Sequence, residues 1–139
     1  MNKAFLTGIV GTVGSVIASF FGGWTASLTT LLIFMAIDYF TGLICAGVFH
    51  KSQKTQSGAL ESKASFKGLC RKGLILLIVL MCHRLDLIYG GCYIRDGACI
   101  AFIFNESISI IENAGLMGVP VPKVVINAIE ALKKKGENG

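Results

Sequence analysis

The first third of the chain is one nearly unbroken apolar stretch. It runs from Ala4 to Phe49, 46 residues, with a single charged residue at Asp38. Because a bilayer-spanning helix needs about 20 residues, this stretch is long enough for two spans and a turn. The paired glycines of the Gly22-Gly23-Trp24-Thr25 segment break a helix, and Trp favours the membrane interface. We therefore predict spans at 4–22 and 27–49.

Two further apolar segments follow a polar, basic stretch. The uncharged run from Gly73 to Cys82 has ten residues, which is too short to cross a membrane alone. The third span therefore has to include the charged residues that follow this run. The fourth segment carries several polar residues, so its hydropathy is borderline. We predict the third span at 69–90 and the fourth at 97–116.

This pattern predicts an all-α membrane protein with a single transmembrane domain over residues 1–139. Hydrophobic residues make up 53% of the chain, the mean hydropathy is +0.69, and only 15% of the residues are charged. Soluble domains carry about 25% charged residues, so a soluble globular fold does not fit. Four short helices in two hairpins, followed by a short C-terminal amphipathic segment, account for the pattern. If the fourth segment lies flat in the interface, there are three spans instead.

The basic residues predict the orientation in the membrane. The formal net charge is +5, and six of the 13 basic residues lie within the range 51–72, with three more at 133–135. Because Lys and Arg concentrate in cytoplasmic loops, the 50–68 loop, the 117–139 tail and Lys3 should all be cytoplasmic. Both termini on one side requires an even number of spans, which favours four. No comb of base-stacking aromatics accompanies these charges, so nucleic acid is not a predicted partner.

The first span is rich in small residues at four-residue spacing. Rows of this kind let helix backbones approach closely in lipid, where packing drives helix association. Such a face serves either oligomerisation or packing against the chain's own helices, and periodicity does not separate these two roles. The adjacent rows consist of Gly14, Ala18 and Gly22, and of Gly11, Ser15, Ser19 and Gly23.

Charged residues from three different spans fall at a common depth. Measured from the nearest cytoplasmic anchor at about 1.5 Å per residue, Asp38, Arg84 and Glu106 each lie about 18–21 Å into the membrane. A charge at the centre of a span costs about 2.5–3.5 kcal/mol, and pairing lowers that penalty. We therefore predict that these three residues pair, and that His83 and Asp86 extend the network from one face of the third span. Asp38 alone fits either a pore-related position or a structural contact.

The fourth segment has a polar stripe along an otherwise apolar helix. At 100° per residue, its polar side chains fall within about 120° of arc, and isoleucines cover most of the rest. A spanning helix with this stripe is suited to line a water-filled path, whereas the same stripe also suits a helix lying in the interface. The charge topology favours the spanning arrangement. The stripe consists of Asn105, Glu106, Ser109, Glu112 and Asn113.

The C-terminal segment reads as a short amphipathic helix. Two prolines, at 120 and 122, end the fourth span. Val125, Ile129 and Leu132 then form a narrow apolar face before the lysine run. We expect this helix to lie on the cytoplasmic surface, held to anionic lipid by the lysines. A solvated, flexible tail is the alternative.

No catalytic, cofactor or metal site is predicted. The five cysteines form no C-x-x-C pair, and the two histidines belong to no hydrolase or phosphate-binding motif. Most of the cysteines lie in apolar stretches, where Cys acts as a small hydrophobic residue; a disulfide between Cys92 and Cys99, which flank a predicted outer turn, is the less favoured alternative. The sequence therefore points away from an enzyme.

Four sequence elements are shared with a known family. The N-E-S-I-S-I-I-E-N and G-V-P-V-P elements are the most specific, and the D-x-x-T-G element alone is weak. The elements are Asp38-Tyr39-Phe40-Thr41-Gly42, Gly68-Leu69-Cys70-Arg71-Lys72, Asn105-Glu106-Ser107-Ile108-Ser109-Ile110-Ile111-Glu112-Asn113 and Gly118-Val119-Pro120-Val121-Pro122. On this basis the chain resembles the toxin-secretion and phage-lysis holins of clostridial type over most of its length.

The resemblance implies a small phage- or prophage-encoded protein of the bacterial cytoplasmic membrane. Members of that family oligomerise and permeabilise the membrane, which releases an endolysin or, in some clostridia, a large toxin. The predicted partners are therefore further copies of the chain, membrane lipid and, as a regulator, an antiholin. Two alternative functions are an antiholin that restrains lysis and a narrow ion channel or transporter subunit. An inverted repeat, which would favour a transporter, is absent from the sequence.

Overall fold

The chain folds into α-helices joined by short turns and one longer loop, which confirms the predicted all-α class. The computed structural model describes residues 2–91 and 93–138, and no strand occurs within them. Cys92, whose disulfide with Cys99 is the less favoured alternative above, lies outside these described residues. The helices are α1 (Lys3–Phe20), α2 (Ala26–Gly47), α3 (Ser62–Tyr89), α4 (Tyr93–Leu116) and α5 (Lys123–Asn138).

Local sequence signals explain where the first two helices end and begin. Gly22 and Gly23 follow α1 with φ values of +85° and +93°, a backbone region that favours glycine. The side-chain oxygen of Thr25 then caps α2 by accepting a hydrogen bond of 3.2 Å from the backbone N–H of Leu28. The tight turn therefore lies within the segment 22–25, where the sequence places it.

Helix α3 begins seven residues earlier than the predicted third span. Its first ten residues include Lys63, Lys67 and Arg71, so the basic end of the predicted loop is helical. Lys and Arg are good helix formers, and nothing in this stretch interrupts the helix. The helix ends at Gly90, whose φ of +82° forms a left-handed C-cap.

Helix α4 lies at the centre of the structure. Helices α2, α3 and α5 all pack against α4, and α2 also contacts α3. Helix α1 stands apart, and Ala18 is its one buried residue. The apolar core lies between α2, α3 and α4 and consists of Leu28, Leu31, Met35, Val79, Cys99 and Ile103.

In the part of the chain that the structure describes, helices α1, α2 and α4 are long and apolar enough to cross a membrane. Helix α3 is long enough, with 28 residues or about 42 Å. It carries charge, however, because every stretch of 18 residues within it contains at least three charged side chains. Whether α3 crosses a membrane therefore depends on how its charges are neutralised.

The C-terminal helix α5 folds back along α4. The ammonium of Lys133 lies 5.7 Å from the ring centroid of Phe104, and a Cβ on Gly136 would be 3.3 Å from the Cγ2 of Ile100. Residue numbers rise along α5 as they fall along α4, so the two helices are antiparallel. The apolar face of α5 thus packs against α4 in the single chain, and Val125 from the predicted face stays 43% exposed.

We predict that α5 leaves α4 once α4 is inserted in a bilayer, because the docked position would bring charged lysines into the hydrocarbon region. That position holds the lysine run beside the middle of α4, where each Lys costs about 2.5–3.5 kcal/mol in hydrocarbon. In a Cys-free chain in membrane vesicles, Ile100→Cys paired with Gly136→Cys should react poorly with a short thiol crosslinker. Ser27→Cys paired with Asp96→Cys, whose native oxygens lie 3.2 Å apart, is the reference pair and should crosslink well.

A second variant tests whether the lysines are the reason that α5 leaves α4. Replacing Lys133, Lys134 and Lys135 with Leu removes the burial penalty, so it should restore crosslinking between positions 100 and 136 in vesicles. Equal crosslinking of both pairs in vesicles with the lysines intact would contradict the prediction.

Candidate functional site

A three-residue ionic cluster joins α2, α3 and α4. The ammonium nitrogen of Lys72 lies 2.7 Å from Oδ2 of Asp38 and 2.7 Å from Oε2 of Glu106. The two acidic residues are only 4% and 6% exposed, and the Lys72 side chain is 14% exposed. Each contact is a charge-assisted hydrogen bond, which is stronger than a neutral one. One cation thus ties together three helices.

Sequence reasoning found two members of this cluster and assigned the wrong cation. It predicted pairing through Arg84, whose side chain is exposed in the structure. Lys72 and Arg84 lie 12 residues apart on α3, about 18 Å along the helix, so only Lys72 reaches the depth of the two acidic side chains. The prediction took Lys72 as the membrane-surface anchor, whereas α3 begins at Ser62 and places Lys72 about 15 Å along the helix.

Asn113 completes the coordination of Asp38. Its side-chain amide donates to Oδ1 of Asp38 at 3.2 Å, to the Asp38 carbonyl at 3.3 Å and to Oγ1 of Thr41 at 2.9 Å. The Thr41 hydroxyl in turn donates to the Ile37 carbonyl at 2.8 Å. The D-x-x-T-G element of α2 and the end of the polar stripe on α4 therefore form one hydrogen-bonded unit.

A cavity of about 310 Å³, lined by both polar and apolar side chains, adjoins the cluster. It lies between α2, α3, α4 and the 50–61 loop, which folds over it through a 3.0 Å hydrogen bond from the Ser52 amide to the Gly58 carbonyl. The cavity is large enough to hold water, and its polar side chains offer hydrogen-bond partners for it. The cluster thus faces a hydratable space. Among the cavity's polar lining residues are Asp38, Lys54, Lys72, Asn105, Glu106 and Ser109.

The predicted polar stripe of α4 divides into three environments. Glu106 and Asn113 are buried in the contacts with α2 and α3. Asn105 and Ser109 border the cavity. Glu112 is exposed on the outside of the helix. Four of the five stripe residues therefore lie at the cluster or the cavity, and Glu112 lies away from both.

The opposite ends of the helices are held by a second polar group. The Asp86 carboxylate accepts hydrogen bonds from the backbone N–H groups of Ile94 at 3.0 Å and Arg95 at 2.9 Å. An acidic group at the first turn of a helix is stabilised by the free N–H groups and the helix dipole. The guanidinium of Arg95 donates to the Phe21 carbonyl at 3.0 Å and pairs with Asp96 at 3.2 Å. These contacts join the α1–α2 turn to α3 and α4.

Sequence reasoning missed Arg95 as a structural residue. The pattern of polar positions does not single out Arg95, although its side chain is only 8% exposed in the structure. The available signal was Asp86, which lies just before the Gly90-Gly91 turn and hence near the start of the next helix. His83 sits beside the same turn, because a Cβ on Gly22 would clash with both His83 and Arg95.

The small residues of α1 separate into two groups. Gly22 belongs to the turn, and Ala18 is buried at 4% exposure near that end of the helix. In contrast, Ser15 is exposed, and a Cβ added at Gly11 or Gly14 would have no neighbour within 4 Å. The first part of the predicted packing face is therefore open in the single chain.

Replacing Lys72 should destabilise the bundle far more than replacing Arg84. Lys72→Leu strands two buried carboxylates and is expected to lower the free energy of unfolding in micelles by about 3–5 kcal/mol. Arg84→Leu makes the same chemical change at an exposed site of the same helix and should cost below about 1 kcal/mol. Adding Asp38→Asn and Glu106→Gln to Lys72→Leu should recover part of the loss. Equal losses in the two single variants would refute the assignment.

Comparison with known proteins places this helical bundle among bacterial relatives of similar length. An uncharacterized protein of Halalkalibacterium halodurans is 35% identical over 137 residues, covering 94% of this chain and 96% of the relative. An uncharacterized 14.9 kDa protein of Clostridium perfringens is 36% identical over 130 residues, covering 92% of each chain. An uncharacterized protein of Listeria innocua is 37% identical over 123 residues, covering 88% of this chain and 81% of the relative.

No solved structure matches the chain. Residues 15–134 match the profile of the bacteriophage holin family. This match spans α2, α3 and α4 with both polar groups, together with parts of α1 and α5. The chain belongs to the bacteriophage holin family.

Proposed function

We propose that the protein is a holin that oligomerises in the bacterial cytoplasmic membrane and permeabilises it, releasing an endolysin or a toxin. Family membership supports membrane action of this kind. The observation that carries the proposal is the ionic cluster of Lys72, Asp38 and Glu106, buried at mid-helix beside a hydratable cavity. Charges at that depth are costly and mark functional positions in membrane proteins.

We propose four spans, α1 to α4, with the basic 50–68 loop and both termini in the cytoplasm. Lys72 is one of the charges that make α3 polar by composition, and it is neutralised by two carboxylates. The segment that follows Lys72, from Gly73 to Cys82, is uncharged. The lysines of the loop and tail then lie on the side where basic residues concentrate.

Within residues 2–91 and 93–138, a single copy forms no continuous polar path along the helices. The apolar core of α2, α3 and α4 lies outside the cavity lining, and its Leu31, Met35, Val79 and Ile103 are at most 4% exposed. This packing disfavours a narrow channel within one copy. A lesion would therefore form between copies, with polar faces of α2 to α4 turned towards water.

Self-association would begin at α1. This helix has an apolar, mostly exposed surface and an open row of small residues at Gly11, Gly14 and Ser15. Small residues allow close backbone approach between helices in lipid. Copies joined through α1 would hold their α2–α4 bundles side by side, ready to rearrange together.

Inducible expression in a bacterium tests the proposed function. Collapse of the membrane potential should be accompanied by release of a co-expressed cytoplasmic reporter enzyme, because a holin lesion passes folded proteins. An unrelated multi-span protein expressed to the same level is the control. Depolarisation without enzyme release would indicate a narrow channel instead. Survival, combined with delayed lysis by a co-expressed holin, would indicate an antiholin.

Substitutions on α1 test the assembly step. Gly14→Leu should weaken crosslinked oligomers and delay lysis, because the larger side chain separates the helix backbones. The fold of the single chain should be unaffected, since the added Cβ has no neighbour within 4 Å. Val13→Leu, which enlarges an exposed side chain pointing to another side of α1, is the control and should leave both readouts unchanged. Intact oligomers in Gly14→Leu would rule out this face.

A further inference from the structure

A basic groove of about 240 Å³ lies where the 50–61 loop meets the first turns of α3. Its charged lining has four cations and one acid. Within residues 2–91 and 93–138, none of these four cations has an ion-pair partner within 4.0 Å. The groove is therefore a concave surface with uncompensated positive charge. Its charged residues are Lys54, Lys63, Lys67, Arg71 and Glu61.

The basic face of α3 continues as an apolar face along the same helix. Lys63, Lys67 and Arg71 are spaced four residues apart and span about 80° of arc. Within that same arc follow Leu74, Ile78 and Met81, whose side chains are 60%, 42% and 54% exposed. One side of α3 is thus basic over its first three turns and apolar over the next two.

We propose that this groove binds the phosphate headgroup of an anionic phospholipid, whose acyl chains lie along Leu74, Ile78 and Met81. The Arg71 guanidinium matches the oxygens of a phosphate, and the Lys ammonium groups add point charges. A soluble phosphate would use only the basic part of this face. A lipid of the leaflet that the 50–61 loop faces uses both parts.

Binding at this groove would act directly on the ionic cluster. Arg71 precedes Lys72 in the chain, and five of the seven residues that line the groove, among them Lys54 and Arg71, also line the cavity beside the cluster. Like charges four residues apart destabilise a helix, so a bound phosphate relieves repulsion within the basic end of α3. The lipid would thereby stabilise α3 in its place against α2 and α4. The proposal requires membrane insertion as described above, but it does not require that the protein form lesions.

Lipid binding by the purified full chain tests the site. Titration of detergent-solubilised protein with phosphatidylglycerol, followed by native mass spectrometry, counts bound lipids, with phosphatidylcholine as the uncharged comparison. Replacing Lys63, Lys67 and Arg71 with Gln should weaken phosphatidylglycerol binding on the order of 100-fold, at about fivefold per basic residue. Replacing Lys133, Lys134 and Lys135 with Gln removes the same charge elsewhere and should change binding by less than about threefold.

Equal losses in these two triple variants would mean diffuse attraction of lipid to a basic protein, and would overturn the groove. The Lys63→Arg, Lys67→Arg variant keeps the charge and should retain binding, which separates loss of the site from loss of the fold. Circular dichroism of each variant checks that the helices are intact. These measurements do not depend on lysis, so a protein that fails to permeabilise cells can still confirm the site.

Two further measurements distinguish a bound lipid from a bound free anion. Inorganic phosphate at millimolar concentration should fail to displace phosphatidylglycerol. Replacing Leu74 and Ile78 with Asn should weaken lipid binding at least about tenfold, because the acyl chains lose their apolar contact surface. Displacement by phosphate together with unchanged lipid binding in the Leu74→Asn, Ile78→Asn variant would overturn the lipid assignment.

Discussion

The position of one ammonium group between two carboxylates governs the arrangement of the three central helices. Asp38, Lys72 and Glu106 come from α2, α3 and α4, and each would be costly alone at this depth. Together they satisfy one another, and the amide of Asn113 occupies the remaining oxygen of Asp38. Within the described residues, no buried side-chain nitrogen or oxygen lacks a hydrogen-bond partner. Burial of charge is thus conditional on the packing of all three helices.

A second contact between α3 and α4 fixes the register of these two helices. Lys72 and Asp86 lie 14 residues apart on α3, about 21 Å along its axis. They bind α4 at Glu106 and at the backbone of its first turn, so α3 and α4 are pinned at two levels. Such pinning excludes sliding between these helices. The freedom left to the chain resides in α1, which contacts little else, and in α5, which holds α4 by one apolar face.

The sequence predicts the composition of the cluster better than its connections. Long apolar runs locate α1 and α2, and equal depth brings Asp38 and Glu106 together, because both distances run along helices of predictable length. The wrong choice of Arg84 arose because helix-forming lysines continue α3 into the loop, and no local signal marks where the helix meets the membrane surface. The docking of α5 on α4 was missed for a related reason: periodicity identifies an apolar face and leaves its partner undetermined.

The paired polar groups of α2, α3 and α4 and the open surface of α1 together explain how the proposed holin accumulates before it acts. A chain whose buried polar groups are all paired gains nothing by exposing them singly, since opening Lys72 strands two acids in a low-dielectric interior. The balance changes when several copies open together, because each exposed polar face then borders shared water instead of lipid. Opening would therefore be cooperative in the number of copies. The apolar surface and open small-residue row of α1 provide contact between copies without disturbing the ionic cluster, so assembly can precede opening.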